Sequence, residues 1–146
     1  ADLTVSANIP EKYVSSSETR MDLYRRIASI EDREDADDVI DELIDRFGEP
    51  PRETMTLIDI ALLRVAARDA GICDITQKGS NLKITMVNPT FDIISKICAR
   101  PEYKGKILLN AGQEPYLMLK LKGDDEPIQS ANGFVSAYAD AKKETV

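Results

Sequence analysis

Apolar residues recur along this chain at two spacings, and the spacing changes where the elements change. Leu3, Val5 and Ala7 alternate with Thr4, Ser6 and Asn8 ahead of Ile9-Pro10, which predicts a short strand stopped by proline. A linker over residues 11–17 follows. Thr19 and Asp22 have the form of a capping box, opening a helix that runs to about Ile30, with Leu23, Tyr24, Ile27 and Ile30 on its apolar side. Ala36, Val39, Ile40, Leu43, Ile44 and Phe47 then fall at i, i+3, i+4, i+7, i+8 and i+11. They form a single stripe on a second helix, all of it assigned to the core. Asp35, Asp37 and Asp38 complement the positive end of that helix, Gly48 supplies a left-handed C-terminal cap, and Pro50-Pro51 forbids continuation.

A third helix over about residues 52–70 is apolar nearly all round and predicts a central buried element, ended by Gly71. Residues 72–77 and 82–87 read as a hairpin about Gly79-Ser80-Asn81. After Asn88-Pro89 a short helix carries Phe91, Ile94, Ile97 and Cys98 until Pro101 stops it. Residues 106–110 and 116–122 read as a second hairpin across Gly112, with Leu117, Leu119 and Leu121 facing inward. Asp124-Asp125-Glu126 forms an acidic turn before a last helix, whose stripe is Ile128, Ala131, Val135 and Tyr138. The sum predicts one compact α+β domain, a four- or five-stranded, largely antiparallel sheet packed with about five helices.

Composition narrows the chemistry. The chain has 146 residues, 42% apolar and 31% charged, which fits a soluble globular domain. No apolar run reaches the length of a membrane span, because Asp59 and Arg64 interrupt the longest candidate. With no histidine, Ser-His and Cys-His nucleophile pairs and histidine-ligated zinc are excluded. Cys73 and Cys98 stand too far apart for a CxxC pair and read as small buried hydrophobes. The chain opens at Ala1 without the basic stretch and apolar run of a secretory signal, which reads as a cytoplasmic fragment of something longer.

The charge is uneven. Residues 1–50 hold 14 acidic and 6 basic side chains, residues 51–146 hold 12 and 13. The excess lies between Glu31 and Asp45, where Arg33 alone opposes nine carboxylates. Such a field repels phosphates and favours a basic protein surface. The second helix turns Asp38, Asp41, Glu42, Asp45 and Arg46 outward, with Glu42 and Arg46 an i, i+4 pair. Asp37, Asp38 and Asp41 also match the DDxxD spacing by which helices hold magnesium and a diphosphate, the basis of an alternative reading as a small carboxylate- and magnesium-dependent enzyme. Phosphate-cradling glycine loops are missing, and a basic patch with interleaved aromatics is absent.

Several blocks resemble a known family. Ala7-Asn8-Ile9-Pro10 with Tyr13-Val14, then Leu23-Tyr24-Arg25-Arg26-Ile27-Ala28-Ser29, then Glu42-Leu43-Ile44-Asp45-Arg46-Phe47-Gly48 with Pro50-Pro51, and last Leu62-Leu63 before Gly71-Ile72, occur in order. Together, over roughly the first half of the chain, they are similar to the C-terminal domain of the bacterial transcription-repair coupling factors. The resemblance implies a non-catalytic regulatory domain, without a cofactor of its own, of a larger cytoplasmic DNA translocase. ATP and magnesium would serve that protein's motor domains, and other domains would contact RNA polymerase and DNA. It further implies that this domain docks on the UvrB-like module of the same protein, masks the surface that UvrA binds, and restrains the translocase. In the family, charged residues of the ELIDRFG helix make that contact, which places it on Glu42, Asp45 and Arg46 here.

Overall fold

The computed structural model describes residues 3, 6–110, 112, 115–122 and 125–144, and it divides into two compact units, one within residues 5–65 and one within residues 1–4 and 66–146. The α+β class is as expected: the described residues form five α-helices and a four-stranded antiparallel sheet, with one 3-10 turn at Pro101–Tyr103. No described helix is long and apolar enough to cross a membrane.

The first unit is helical. Helix α1 spans Ser17–Ala28, α2 spans Arg33–Phe47, and α3 begins at Arg52 and runs to Ala70. The N-cap of α1 is Ser16, whose hydroxyl accepts from the Thr19 N–H, so Thr19 lies inside the first turn instead of capping it. A run of three serines offers the backbone an earlier oxygen, and the helix starts there. Asp32 caps α2 in the same way, accepting from the Asp35 N–H, which leaves Glu34 and Asp35 in the first turn. Gly48 ends α2 at φ +88 and ψ −169, a positive-φ conformation outside the left-handed helical region and open to glycine.

No strand forms over the described part of the N-terminal segment, residues 3 and 6–10; positions 4 and 5 of the expected strand lie outside the described residues. The reason is where its hydrogen bonds go. The Asn8 N–H donates to the Glu53 carbonyl, and the Thr54 hydroxyl donates to the Asn8 carbonyl at 2.9 Å. The chain is thus tied to the first turn of a helix, and Thr54, fully buried, is satisfied by that bond.

The core of this unit comprises Ile9, Val14, Leu23, Ile27, Ile30, Ala36, Val39, Leu43, Ile58 and Ala61. Polar ties lock its edges. The Tyr24 hydroxyl oxygen accepts from the Ile9 N–H at 2.8 Å, and the Arg64 guanidinium donates to the Ala28 carbonyl at 2.8 Å. Tyr13 leans on Phe47 with ring centroids 5.8 Å apart and donates to the Gly48 carbonyl at 2.7 Å. Tyr13→Phe is expected to cost about 0.5–1.5 kcal/mol in urea unfolding, since the ring stays and the hydrogen bond goes. An unchanged midpoint and slope would show that the bond adds nothing.

Partial burial pushes the Asp59 carboxyl on α3 above the usual carboxylate range, an effect that nearby Arg33 partly offsets. A folded pKa above the unfolded one means that ionisation costs stability. The cost is absent below the unfolded pKa and complete above the folded one. Asp59→Asn should therefore raise the melting temperature at pH 7 and leave it unchanged near pH 3; a gain of equal size at both would refute the assignment.

In the second unit, β1 (Ile72–Lys78) and β2 (Asn81–Met86) form a hairpin through Gly79-Ser80, followed by α4 (Phe91–Cys98), β3 (Ile107–Asn110), β4 (Tyr116–Lys120) and α5 (Pro127–Glu144). The sheet order is β1-β2-β4-β3, antiparallel throughout. Leu82, Ile84, Met86, Leu117 and Leu119 alternate onto one buried face. The interior also holds an aromatic row in which Tyr103 meets Phe134 edge-on at 5.7 Å and Phe134 stacks on Tyr138 at 6.0 Å.

Some side chains depart from expectation. The buried face of α4 carries Ile93 and Ile97, while Phe91 is 81% exposed. Thr90 caps the helix one residue before Phe91, so Phe91 starts the first turn on its outer side. In α5 the buried set is Ala131, Phe134, Val135, Ala137, Tyr138 and Ala141, with Ile128 at its half-buried start. Neither cysteine is fully buried: Cys73 is exposed beside an irregularity in the β1-β2 register, Cys98 is intermediate, and both are free thiols.

Candidate functional site

The charged face of α2 follows from helical geometry. At 3.6 residues per turn, the buried Ala36, Val39 and Leu43 point one way, and Glu34, Asp38, Asp41 and Asp45 form a ridge along the opposite side. All four carboxylates of the ridge are exposed. Asp38, Asp41 and Asp45 have no ion-pair partner among the described residues, so the ridge presents its charge to solvent.

Glu42 and Arg46 stand on the flank of the ridge and behave differently. Glu42 Oε2 receives Arg26 Nη1 from α1 in a short ion pair and Arg46 Nη1 at 3.5 Å. One carboxylate thus bridges two guanidiniums across two helices. The Arg46 guanidinium also lies 4.9 Å from the centre of the Phe47 ring, a cation–π contact that limits its rotamers. Exposed pairs of this kind contribute little stability, so their main effect is to hold charge in fixed positions. Arg26 and Asp38, with Ser29, Ile30, Asp35 and Val39, line a shallow cleft of about 150 Å³ between α1 and α2.

The five residues singled out by sequence therefore lie along one helix, Asp38, Asp41 and Asp45 as a ridge of carboxylates with no ion-pair partner among the described residues, and Glu42 and Arg46 as a bridged pair on its flank. Sequence reasoning missed Arg26, which belongs to another helix and meets Glu42 only in the fold. Ile44 is a correction: assigned to the core, it is 47% exposed, because the stripe is wider than the surface that covers it. It stands one turn after Asp41, an apolar contact point beside the charged ridge.

The metal-site reading gains no support from the geometry. Asp37 is drawn to Arg33 at 3.1 Å, and no group of three or more carboxylates or thiols among the described residues is placed to hold a metal ion.

Comparison with known proteins assigns the class and then the family. Over its whole length the fold matches a solved structure described as the C-terminal domain of transcription-repair coupling factor, with a TM-score of 0.81 and 20% identity, covering 99% of this chain and 94% of that one. At that identity the likeness speaks for the fold alone. The family model for the TRCF domain matches residues 3–97, and the chain belongs to that family.

Relatives by sequence carry the same name. The transcription-repair-coupling factor of Bacillus subtilis (strain 168) is 28% identical over 151 aligned residues, covering 99% of this chain and 13% of the relative. That of Staphylococcus aureus (strain USA300) is 30% identical over 112 residues, 77% of this chain and 9% of the relative. That of Mycobacterium tuberculosis (strain CDC 1551 / Oshkosh) is 39% identical over 75 residues, 51% of this chain and 6% of the relative. The chain thus spans about a tenth of the length of the curated relatives it matches.

Proposed function

We propose that this domain is a non-catalytic regulatory lid of a transcription-repair coupling factor. In this reading the factor is an ATP-driven DNA translocase of the cytoplasm that displaces stalled RNA polymerase and brings in nucleotide excision repair. The lid docks through α2 on the UvrB-like module of the same protein, covers the surface that UvrA would use, and keeps the motor quiet.

The observation that carries this reading is the acidic ridge itself. Asp38, Asp41 and Asp45 are exposed and have no ion-pair partner among the described residues, on one helix beside an arginine-bridged Glu42. Free carboxylates in fixed positions suit a basic protein surface, because complementary charge speeds encounter and excludes wrong partners. They repel DNA, so any nucleic-acid contact belongs to other parts of the factor.

Competition tests it. Added in trans, this domain should displace UvrA from the isolated UvrB-like module in a dose-dependent way. Simultaneous binding of both to that module would refute the masking role.

A further inference from the structure

The open face of the sheet carries a second charged surface, of opposite sign, which no local stretch of sequence displays. Residues directly opposite in an antiparallel pair share a face, so the register reads out as rows across the sheet. Lys78 pairs with Asn81, and Asn81 with Lys120. Lys106 stands opposite Lys120, whose N–H donates to the Lys106 carbonyl at 2.9 Å. The adjacent row places Lys83, Met118 and Leu108 side by side.

Two features make this more than a solvated lysine surface. Like charges directly opposite each other in a sheet are destabilising, and the backbone hydrogen bond that continues the β3-β4 ladder one residue beyond β3 sets Lys106 against Lys120. Between and beside them lies a groove of about 280 Å³, lined by the two lysines with Asn81, Ile107, Leu108 and Met118. Leu108 is 71% exposed, so apolar surface lies open beside the cations. Lys83 is held over the Tyr116 ring, 4.5 Å from its centre, which fixes a further positive charge on the same face.

We infer that this groove binds an acidic protein segment, which seats carboxylates on Lys106 and Lys120 and one apolar side chain against Leu108 and Met118. A bound carboxylate relieves the repulsion between the two lysines, and the apolar anchor removes Leu108 from water. Nucleic acid fits less well. Base stacking needs a platform of exposed aromatics, whereas among the described residues of this face Tyr116 is the one aromatic, already covered by Lys83, with apolar side chains where bases would lie. The surface lies wholly within the second unit and is independent of the α2 ridge.

Fluorescence anisotropy on the full chain tests this with a fluorescein-labelled peptide of alternating Glu and Leu, a Lys-Leu peptide of the same pattern, and oligothymidylate. The Glu-Leu peptide should bind, the Lys-Leu peptide should not, and K106E/K120E should weaken the Glu-Leu peptide at least tenfold without lowering the melting temperature. In the free chain, K120Q should raise the melting temperature at low salt and lose that gain at high salt. Equal affinity for wild type and K106E/K120E, no binding of the Glu-Leu peptide, or lysine-dependent binding of oligothymidylate in its place would each overturn the inference.

Discussion

Under the proposed docking, charge reversal at Glu42 and Asp45 together, E42R/D45R, is expected to weaken binding to the UvrB-like module by at least about 1 kcal/mol, and by as much as about 5 if the pairs are desolvated at the interface. The two positions act by different routes. Asp45 is a free carboxylate on the ridge, so its reversal places a cation against a basic surface. Glu42 is the anchor between Arg26 and Arg46, so its reversal adds a third guanidinium to two and scatters all of them. The domain itself tolerates the change, because both residues lie away from the core and exposed pairs contribute at most about 1 kcal/mol. Circular dichroism should therefore be unchanged while calorimetric titration shows the loss. Undiminished affinity with an intact fold would remove α2 from the interface.

Leu43→Ala lowers the stability of the first unit by about 2–5 kcal/mol. Leu43 is fully buried among Leu23, Ile27, Val39 and Ile58 in the core cluster, and truncation leaves a cavity that surrounding helices fill only in part. The expected result is a lower urea midpoint for the α1-α2 region, with docking lost because α2 is no longer held. Ile44→Ala is the comparison. The side chain is half exposed, so it should cost far less, and a cost matching that of Leu43 would contradict the observed burial.

The elements were legible where periodicity was strong. The α2 stripe, the long α3, both hairpins and the last helix all lie where spacing and turn residues place them. Errors came where an alternative partner outcompeted the local signal. The alternation of Leu3, Val5 and Ala7 suggested a strand, but Asn8 found its hydrogen bonds on α3. Ile44 fits the apolar stripe by spacing, yet spacing does not say how much of a helix its neighbours cover.

The site was legible in the same measure. A ridge on one helix is a local pattern, so Asp38, Asp41 and Asp45 could be read directly. Arg26 could not, because it and Glu42 are joined only by the packing of α1 on α2. The lysine surface was hidden for a stronger reason. Its members come from three strands and the turn that leads into β3, and they meet only once the register is fixed, so the absence of a basic run in the sequence said nothing about the sheet.

The central claim, that the acidic face of α2 docks on a basic surface of the UvrB-like module, is tested most directly by calorimetric titration of the two at low and high salt. The module should be supplied both free and joined to this domain by a flexible linker. The account predicts binding that weakens steeply as salt rises, since exposed charges are screened within about 10 Å at 0.1 M. Affinity that does not change with salt, or no association at low salt even when the linker raises the effective concentration, would contradict it.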